Sequence, residues 1–397
     1  MATSTGKALF TPLQIGSITL KNRILMSAMT RNRALNTYPN DLLKEYYVQR
    51  TVGGAGLIVS EGILITRQGT EWPHAPGIWD EKHVAGWKNI TDAVHQVEGK
   101  IYAQVIELIG RIAHPDAPEQ KLAGVPVYAP SAIAARGGKY RFLPGEPGNV
   151  TVGLMQALSA SSASNIVFLI KPTAIDDPRK IIEHYKKAAI NAKAAGFDGV
   201  EVHAANGYLI TQFLDSTSNK RTDEWGGSIE NRSRFGLEVL KAVVEIFGPD
   251  VAVKISPNGG YNDVGMPLQE TLDTFSYFIT EADKLGLSYI TLVQYHPYFD
   301  VVFDGVSRAT KHDVIEPYAH LIKNAKVFLN SGVTPEDGEK LVASGKVDGI
   351  FIGTNWINHP DVAKRVEHGK PWDNKLNFMT LQSNDAAGYT DYPSAEY

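Results

Sequence analysis

The chain has 397 residues, of which 43% are hydrophobic, and its formal net charge is −4 at pH 7. This length and composition allow a large core, and the dispersed Lys and Arg residues give no footprint for nucleic acid. The absence of cysteine excludes disulfides, thiolate metal sites, iron–sulfur clusters and a cysteine nucleophile. We find no signal peptide at the start of the chain and no apolar stretch that spans a membrane, so we expect a cytoplasmic protein.

Short apolar runs alternate with helix-sized amphipathic segments along the chain, which is typical of β/α units. The predicted strands cover residues 22–30, 57–62, 100–105, a run that starts at 199, 251–256, 287–293, 326–330 and 347–353. The predicted helices cover 41–51, 87–97, 232–247, 268–285, 314–323 and 335–344. Eight strands separated by helices predict a parallel sheet.

An eight-stranded (β/α)8 TIM barrel is the economical way to close such a sheet. The rival fold, a doubly wound sheet, expects a glycine-rich turn after its first strand, whereas this strand ends Ser27-Ala28-Met29-Thr30. We therefore predict one barrel domain over residues 1–397, with an N-terminal cap. The segment 148–175 breaks the β/α rhythm and is predicted to be an inserted loop or a lid.

The fourth predicted strand ends in a cluster of polar residues. His203, Asn206 and Tyr208 follow its apolar part within six residues, at the end of the strand where barrel enzymes place their active sites. An imidazole and an amide can both donate hydrogen bonds to one oxygen, and a tyrosine hydroxyl can donate a proton. The alternative is a buried histidine with satisfied hydrogen bonds beside an ordinary Asn-Gly turn.

Histidines elsewhere do not form a metal-binding pattern. His74, His114, His296 and His359 are scattered, without the spacing to one another or to carboxylates that zinc sites use. We predict no metal site.

Several long motifs carry a family resemblance. They lie at residues 203–209, 212–214, 218–232, 22–23, 29–31 and 75–79. Over residues 9–393 the chain resembles the old yellow enzyme family of flavin-dependent ene-reductases, in its classical fungal-like branch. The resemblance implies a barrel that holds FMN at its carboxyl-end mouth, with NADPH or NADH as the reductant and an α,β-unsaturated carbonyl compound as the substrate.

The resemblance also implies roles for individual residues. His203 and Asn206 would bind the carbonyl oxygen of the substrate, and Tyr208 would supply a proton to the α carbon. Thr30 would tune the flavin potential from its reactive edge. The other residues expected around FMN are Ala28, Met29, Gly62, Gln104, Lys254, Gly332, Gly353, Thr354 and Phe378.

Two positions depart from the family pattern, since Lys254 and Thr354 stand where the family usually has arginines. A lysine retains the positive charge without the bidentate fork, and at Thr354 the FMN phosphate would depend on backbone N–H groups and a hydroxyl. Two alternatives to the ene-reductase stay open: an isomerase without net reduction, against which Tyr208 argues, and a flavin-poor barrel that acts on an enone without redox chemistry, which Thr354 and the altered third strand, with Ile106 where the family usually has a tryptophan, would allow. In all cases we expect a small-molecule substrate, no nucleic-acid or membrane partner, and a monomer or homodimer.

Overall fold

A computed structural model describes residues 7–70, 72–106, 110–136, 141–142, 149–150, 155–157, 166–168, 170–300, 302–303 and 305–397. Half of the segment 148–175, which is predicted to be an inserted loop or lid, lies outside the described residues. Short strand pairs outside the main sheet join Arg141–Phe142 with Asn149–Val150, Met155–Ala157 with Ile166–Phe168, Tyr128–Ala129 with Thr173–Ala174, and Val302–Phe303 with Val306–Ser307.

Eight parallel strands close into a barrel. They are β1 Ile24–Met26, β2 Ile58–Val59, β3 Ile101–Ile106, β4 Gly199–Ala204, β5 Val251–Ile255, β6 Tyr289–Val293, β7 Lys326–Asn330 and β8 Gly349–Ile352. Neighbours pair in chain order, and β8 pairs with β1 to close the ring. A short strand Ile63–Leu64 pairs with the end of β3. The predicted (β/α)8 barrel is therefore confirmed.

The helices surround the barrel. They are α1 Asp41–Val52, α2 Glu81–Gln96, α3 Pro118–Ala123, α4 Pro178–Ala194, α5 Leu209–Leu214, α6 Ile229–Phe247, α7 Leu268–Asp283, α8 Pro335–Ala343, α9 Asn355–Asn358 and α10 Val362–His368. Side-chain caps fix several starts, since Asn40 accepts hydrogen bonds from two backbone N–H groups of α1 and Asp80 accepts one from α2. No helix in the part of the chain that the structure describes is long and apolar enough to cross a bilayer.

The predicted N-terminal cap is a hairpin of Leu13–Ile15 and Ile18–Leu20, which packs into the amino end of the barrel. Leu13, Ile15 and Leu20 form one buried cluster with inward-facing side chains of the strands, including Tyr102 of β3 and Tyr289 of β6. The outward-facing strand residues pack against the helices in the main core. The lower half of the barrel interior is thus apolar and filled.

The helix predicted at 314–323 is wrong. This segment holds a single 3-10 turn, Ala319–Leu321. Pro317 lacks an N–H group and disfavours helical backbone at the preceding residue. The Asp313 carboxylate accepts hydrogen bonds from the backbone N–H groups of Ile315 and Glu316, as an N-cap does, but the turn that follows does not continue into a helix.

Candidate active site

The upper layer of the barrel interior is polar. In β4 the residues Val200 and Val202 face the helices, so Glu201 and His203 face the barrel axis, because successive strand side chains alternate. The same alternation turns Gln104 of β3 and Lys254 of β5 inward. All four side chains are buried. They form the floor of the carboxyl-end mouth, where barrel enzymes carry their chemistry.

Glu201 joins several strands of this floor and was not among the predicted site residues. Its Oε1 accepts a hydrogen bond from Gln104 Nε2 at 2.7 Å, and its Oε2 accepts one from the Tyr289 hydroxyl at 3.1 Å. Burial raises the pKa of Glu201, and the nearby Lys254 charge opposes that shift. The alternation Val-Glu-Val-His in the sequence was the signal that would have placed Glu201 on the same face as His203.

Lys254 lies inside the barrel, as expected for a residue that faces the cofactor. Its Nζ donates a hydrogen bond to Ser27 Oγ at 3.1 Å, and Ser27 in turn lies 3.4 Å from Asn330 Oδ1. Burial lowers the pKa of Lys254, while the Glu201 carboxylate raises it. The floor thus has a lysine donor in place of an arginine, without the bidentate fork.

His203 is a neutral imidazole with an unused nitrogen. Its side chain is buried, and its Nδ1 has no hydrogen-bond partner among the described residues. Burial, reinforced by the Lys254 charge, lowers the pKa of His203 to about 3. A buried polar atom without a partner is costly, which is a sign that something else occupies the site in the working protein.

Asn206 and Tyr208 follow in a tight turn. Asn206 has a left-handed φ of 59°, a conformation that asparagine tolerates. Its backbone N–H donates to Ser256 Oγ at 2.8 Å, and its carbonyl accepts from Asn262 Nδ2 at 2.8 Å. The centre of the Tyr208 ring lies 5.3 Å from that of the His203 ring, so the fold brings these two predicted site residues to one place.

The surroundings of the Tyr208 ring are apolar. The ring packs against a buried cluster of Leu64, Trp72, Ala75 and Ile106. An apolar wall of this kind suits a hydrophobic substrate held by a few polar anchors.

Thr30, Gly62 and Gln104 form a cradle next to this apolar wall. A Cβ atom added at Gly62 would lie 3.1 Å from Ile106 Cγ2, 3.5 Å from Thr30 Oγ1 and 3.7 Å from Gln104 Oε1. The absent side chain leaves room for a flat group that meets a hydroxyl and an amide oxygen at once. The residues present therefore fit a flavin ring.

The remaining predicted cofactor residues lie around the mouth. Met29 Sδ is 3.7 Å from the position of a Cβ on Gly353, so the ends of β1 and β8 meet there. Ser331 and Gly332 after β7 both have left-handed φ values, 74° and 68°, which turn the backbone sharply. Ala28 packs against the barrel interior.

Two further predicted residues are exposed. Thr354 at the start of α9 is exposed, and Phe378 in the C-terminal segment is 74% exposed, so Phe378 does not pack in the core.

A second buried carboxyl group lies behind the Thr30 segment and was also not predicted. Glu61 accepts hydrogen bonds from the Arg31 backbone N–H at 3.0 Å and from the Tyr47 hydroxyl at 3.3 Å. Burial raises its pKa to about 7, against the lowering effect of these donors and of the Arg31 charge. Helix α1 is thereby tied to both loops that form the cradle.

The rim of the mouth after β5 is held by charge. The Asp263 carboxylate pairs with Arg136 at 2.8 Å and with Arg308 at 3.2 Å, and its backbone carbonyl accepts from Arg111. Asn262 and Asp263 both have a left-handed φ of 58°. These contacts stabilise an unfavourable backbone turn. In the described part of the chain, no three His, Asp or Glu side chains are grouped to hold a metal ion.

Comparison with known proteins places this geometry in a family. The sequence model of the NADH:flavin oxidoreductase / NADH oxidase family matches residues 8–373. The chain belongs to this family. It is 34% identical to 12-oxophytodienoate reductase 2 of Arabidopsis thaliana, over 98% of this chain and 96% of that protein. It is also 34% identical to a probable flavin mononucleotide-dependent alkene reductase of Leishmania infantum, over 96% of each.

A solved structure agrees with these matches. The old yellow enzyme homologue from Zymomonas mobilis superposes with a TM-score of 0.82 at 32% identity, over 97% of this chain and 99% of that chain. Membership of the old yellow enzyme family makes the protein an NAD(P)H-dependent flavin oxidoreductase whose cofactor is FMN. The flavin-poor alternative is therefore wrong.

Proposed function

We propose that this flavin oxidoreductase reduces activated C=C bonds of α,β-unsaturated carbonyl compounds. The observation that carries the proposal is the pairing of a neutral His203, whose Nδ1 has no partner among the described residues, with Tyr208, the two ring centres 5.3 Å apart at the mouth of the barrel and beside the Gly62 cradle. The alkene-reductase and 12-oxophytodienoate-reductase relatives support the same substrate class.

His203 and Asn206 would act on the substrate oxygen. A hydride added to the β carbon of an enone leaves negative charge on its carbonyl oxygen, and donors already in place lower the barrier to that charge. A neutral imidazole can place its single N–H on this oxygen, and the Asn206 amide can add a second donor. Because burial and the Lys254 charge keep His203 neutral, its role is to donate a hydrogen bond and not to carry charge.

Tyr208 would provide the proton. Its hydroxyl is carried on the turn after β4, beside the apolar wall, so a substrate gripped by His203 would present its α carbon on the side of this ring. A phenolic hydroxyl carries its proton at neutral pH in water and can serve as a general acid. FMN, reduced by NADPH or NADH, supplies the hydride when it is bound.

We place the cofactor over the cradle. Thr30, Gly62 and Gln104 would meet the ring, Lys254 its electron-rich edge, and the chain at Ala28 and Met29 its rim. Ser331, Gly332, Gly353 and Thr354 would hold the phosphate, and Phe378 would cover the apolar end of the flavin. The whole chain, residues 1–397, would work as one FMN-binding barrel domain, as a monomer or a homodimer.

The test separates the two half-reactions. In the holoenzyme, Tyr208→Phe should slow the oxidation of reduced flavin by an enone such as 2-cyclohexenone, while the reduction of flavin by NADPH stays within about twofold of the wild type. Stopped-flow absorbance of the flavin measures both rates. Equal losses in both half-reactions would show that Tyr208 is not the proton donor, and an isomerised product without net consumption of NADPH would favour the isomerase.

Substrate binding is tested by a phenol, whose oxyanion resembles the charged carbonyl oxygen. His203→Ala should weaken the binding of para-hydroxybenzaldehyde by about tenfold or more, since one donor to a charged oxygen is lost. Flavin absorbance changes on titration give the dissociation constant. Unchanged affinity would contradict the role of His203.

A further inference from the structure

Glu201 lies in the floor of the barrel, where its hydrogen bonds can fix the orientation of a side chain that faces the cofactor. Its side chain is 1% exposed and points to the barrel axis two residues before His203. Both carboxyl oxygens accept hydrogen bonds from other strands, one from Gln104 of the neighbouring β3 and one from Tyr289 of β6, which lies one strand beyond β5. Neither the substrate pocket nor the acid function requires a carboxylate at this depth.

The hydrogen bond from Gln104 determines the orientation of that amide. An ionised carboxylate accepts hydrogen bonds and donates none, so it accepts only the NH₂ end of the Gln104 side chain. The opposite end, Oε1, then faces the cradle and lies 3.7 Å from the position of a Cβ on Gly62. If the amide turned over, two acceptor oxygens would face each other within a buried site, which costs free energy.

The charge beside Glu201 supports this arrangement. Lys254 lies on the adjacent strand, and its charge opposes the rise in the Glu201 pKa that burial causes. The net effect of burial is still a raised Glu201 pKa, so the observed contacts assign the roles: Gln104 Nε2 donates to Oε1 and the Tyr289 hydroxyl donates to Oε2, and both carboxyl oxygens act as acceptors.

We propose that Glu201 is a positioning residue that presents Gln104 Oε1 as an acceptor to the cofactor and thereby selects the single ring N–H of the flavin pyrimidine, at position 3. A carbonyl acceptor matches this N–H and repels the ring carbonyls on either side of it. The inference rests on the proposed placement of FMN over Thr30, Gly62 and Gln104.

The probe is an FMN analogue with a methyl group on ring nitrogen 3, which removes this donor. Quenching of flavin fluorescence on titration with apoprotein gives dissociation constants for FMN and for 3-methyl-FMN, and their ratio measures selection of the N–H. The wild type should prefer FMN by roughly 10- to 100-fold, because the analogue leaves a buried acceptor unpaired. Gln104→Ala, which removes the acceptor, should bring the ratio close to one.

Glu201→Gln should lower this ratio at least fivefold, because its amide can donate to Gln104 Oε1 and let the Gln104 side chain turn over. Tyr289→Phe is the matched control: it removes the other donor to the same carboxylate, leaves the Gln104 contact in place, and should keep the wild-type ratio. Glu201→Asp withdraws the carboxylate by one methylene group, should also lower the ratio, and decides the matter if Glu201→Gln does not fold.

The outcomes are distinguishable. A wild-type ratio in the folded Glu201 variants, together with a ratio near one in Gln104→Ala, overturns the role of Glu201 and leaves the placement of FMN intact. A wild-type ratio in Gln104→Ala, or a wild-type protein that binds both flavins equally, overturns the placement and this inference with it. The effect of a merely structural role would be equal for the two flavins and would leave the ratio unchanged.

Discussion

At the scale of one residue, Glu61 makes the stability of the protein depend on pH from its position between the loops after β1 and β2. Its pKa is raised from 4.5 to about 7 in the folded protein, so the folded state binds a proton that the unfolded state releases between these values. Stability from this group is therefore full below pH 4.5 and is lost as the pH rises through 7. Glu61→Gln removes the titration.

We compare the free energy of unfolding of Glu61→Gln with that of the wild type. Between pH 4.5 and pH 8 this difference should shift by about 3 kcal/mol in favour of the variant. Urea unfolding of the apoprotein at the two pH values measures the change. Glu45→Gln, on the exposed side of α1, is the control. A constant difference between Glu61→Gln and the wild type across this range would contradict the raised pKa.

His203 has the opposite dependence on pH. Its folded pKa is about 3, so as the pH falls below 6.5 the unfolded chain takes up a proton that the folded chain refuses. This residue therefore lowers the free energy of unfolding by up to about 1.4 kcal/mol for each pH unit between 6.5 and 3. His203→Asn should lose less stability on acidification from pH 7 to pH 5, whereas the exposed His320→Asn should follow the wild type. Parallel melting-temperature curves for His203→Asn and the wild type would count against a neutral buried imidazole.

Residues of the site differ in how far the sequence reveals them. His203, Asn206 and Tyr208 are adjacent along the chain, so a short motif is enough to group them. Glu201 requires the strand alternation as well as the register that brings Gln104 and Tyr289 beside it. Glu61 meets Tyr47 only because α1 packs on the barrel, a tertiary contact that no local pattern encodes.

At the scale of elements, buried arginines in the loop after β1 bind the C-terminal segment, residues 375–397. Arg33 donates hydrogen bonds to the backbone carbonyls of Thr380, Leu381, Asp385 and Ala387, and its guanidinium lies 4.4 Å from the centre of the Tyr389 ring. A planar guanidinium can serve this many acceptors at once, and a lysine ammonium cannot. Arg33 begins only three residues after Thr30, so the segment supports the cradle.

Arg33→Lys should release the C-terminal segment. We expect a loss of about 3 kcal/mol or more in the free energy of unfolding, since several buried carbonyls lose their donors, and faster trypsin cleavage within residues 375–397. Mass spectrometry of a proteolysis time course locates the cuts. Arg234→Lys, at a partly exposed arginine of α6 with fewer acceptors, should change neither quantity. If both variants are cleaved alike, the arginine does not fasten the segment.

The limits of the strands and helices show which elements can be predicted from short stretches of sequence. The strand at 326–330 was predicted at its observed limits, because a buried apolar run ends abruptly at polar residues. Helix α2 begins at Glu81, six residues before the predicted start. Its cap, Asp80, lies ahead of the apolar spacing from which the helix is predicted. Helix α4 was not singled out, although Asp177 and Pro178 are its cap and first residue.

At the scale of the whole molecule, the two ends of the barrel have separate tasks. The amino end is closed by the apolar hairpin, where Leu20 is fully buried against the lower interior of the barrel. The carboxyl end holds the polar floor and the Gly62 cradle. The layer between them contains the buried rings of Tyr102, Tyr289 and Phe328, and from it the Tyr289 hydroxyl donates to Glu201 below the cradle.

This separation predicts that two small substitutions affect different quantities, one the stability of the protein and the other its affinity for FMN. Leu20→Ala should reduce the free energy of unfolding by about 2–5 kcal/mol through the cavity it leaves, while the dissociation constant for FMN stays at the wild-type value. Gly62→Ala adds a methyl group 3.1 Å from Ile106 Cγ2 in the cradle, so it should weaken FMN binding by about tenfold or more with little effect on the apoprotein. Thermal unfolding of the apoprotein and titration of flavin fluorescence measure the two quantities on both variants. A Leu20→Ala protein that binds FMN as weakly as Gly62→Ala would show that the ends of the barrel are energetically coupled.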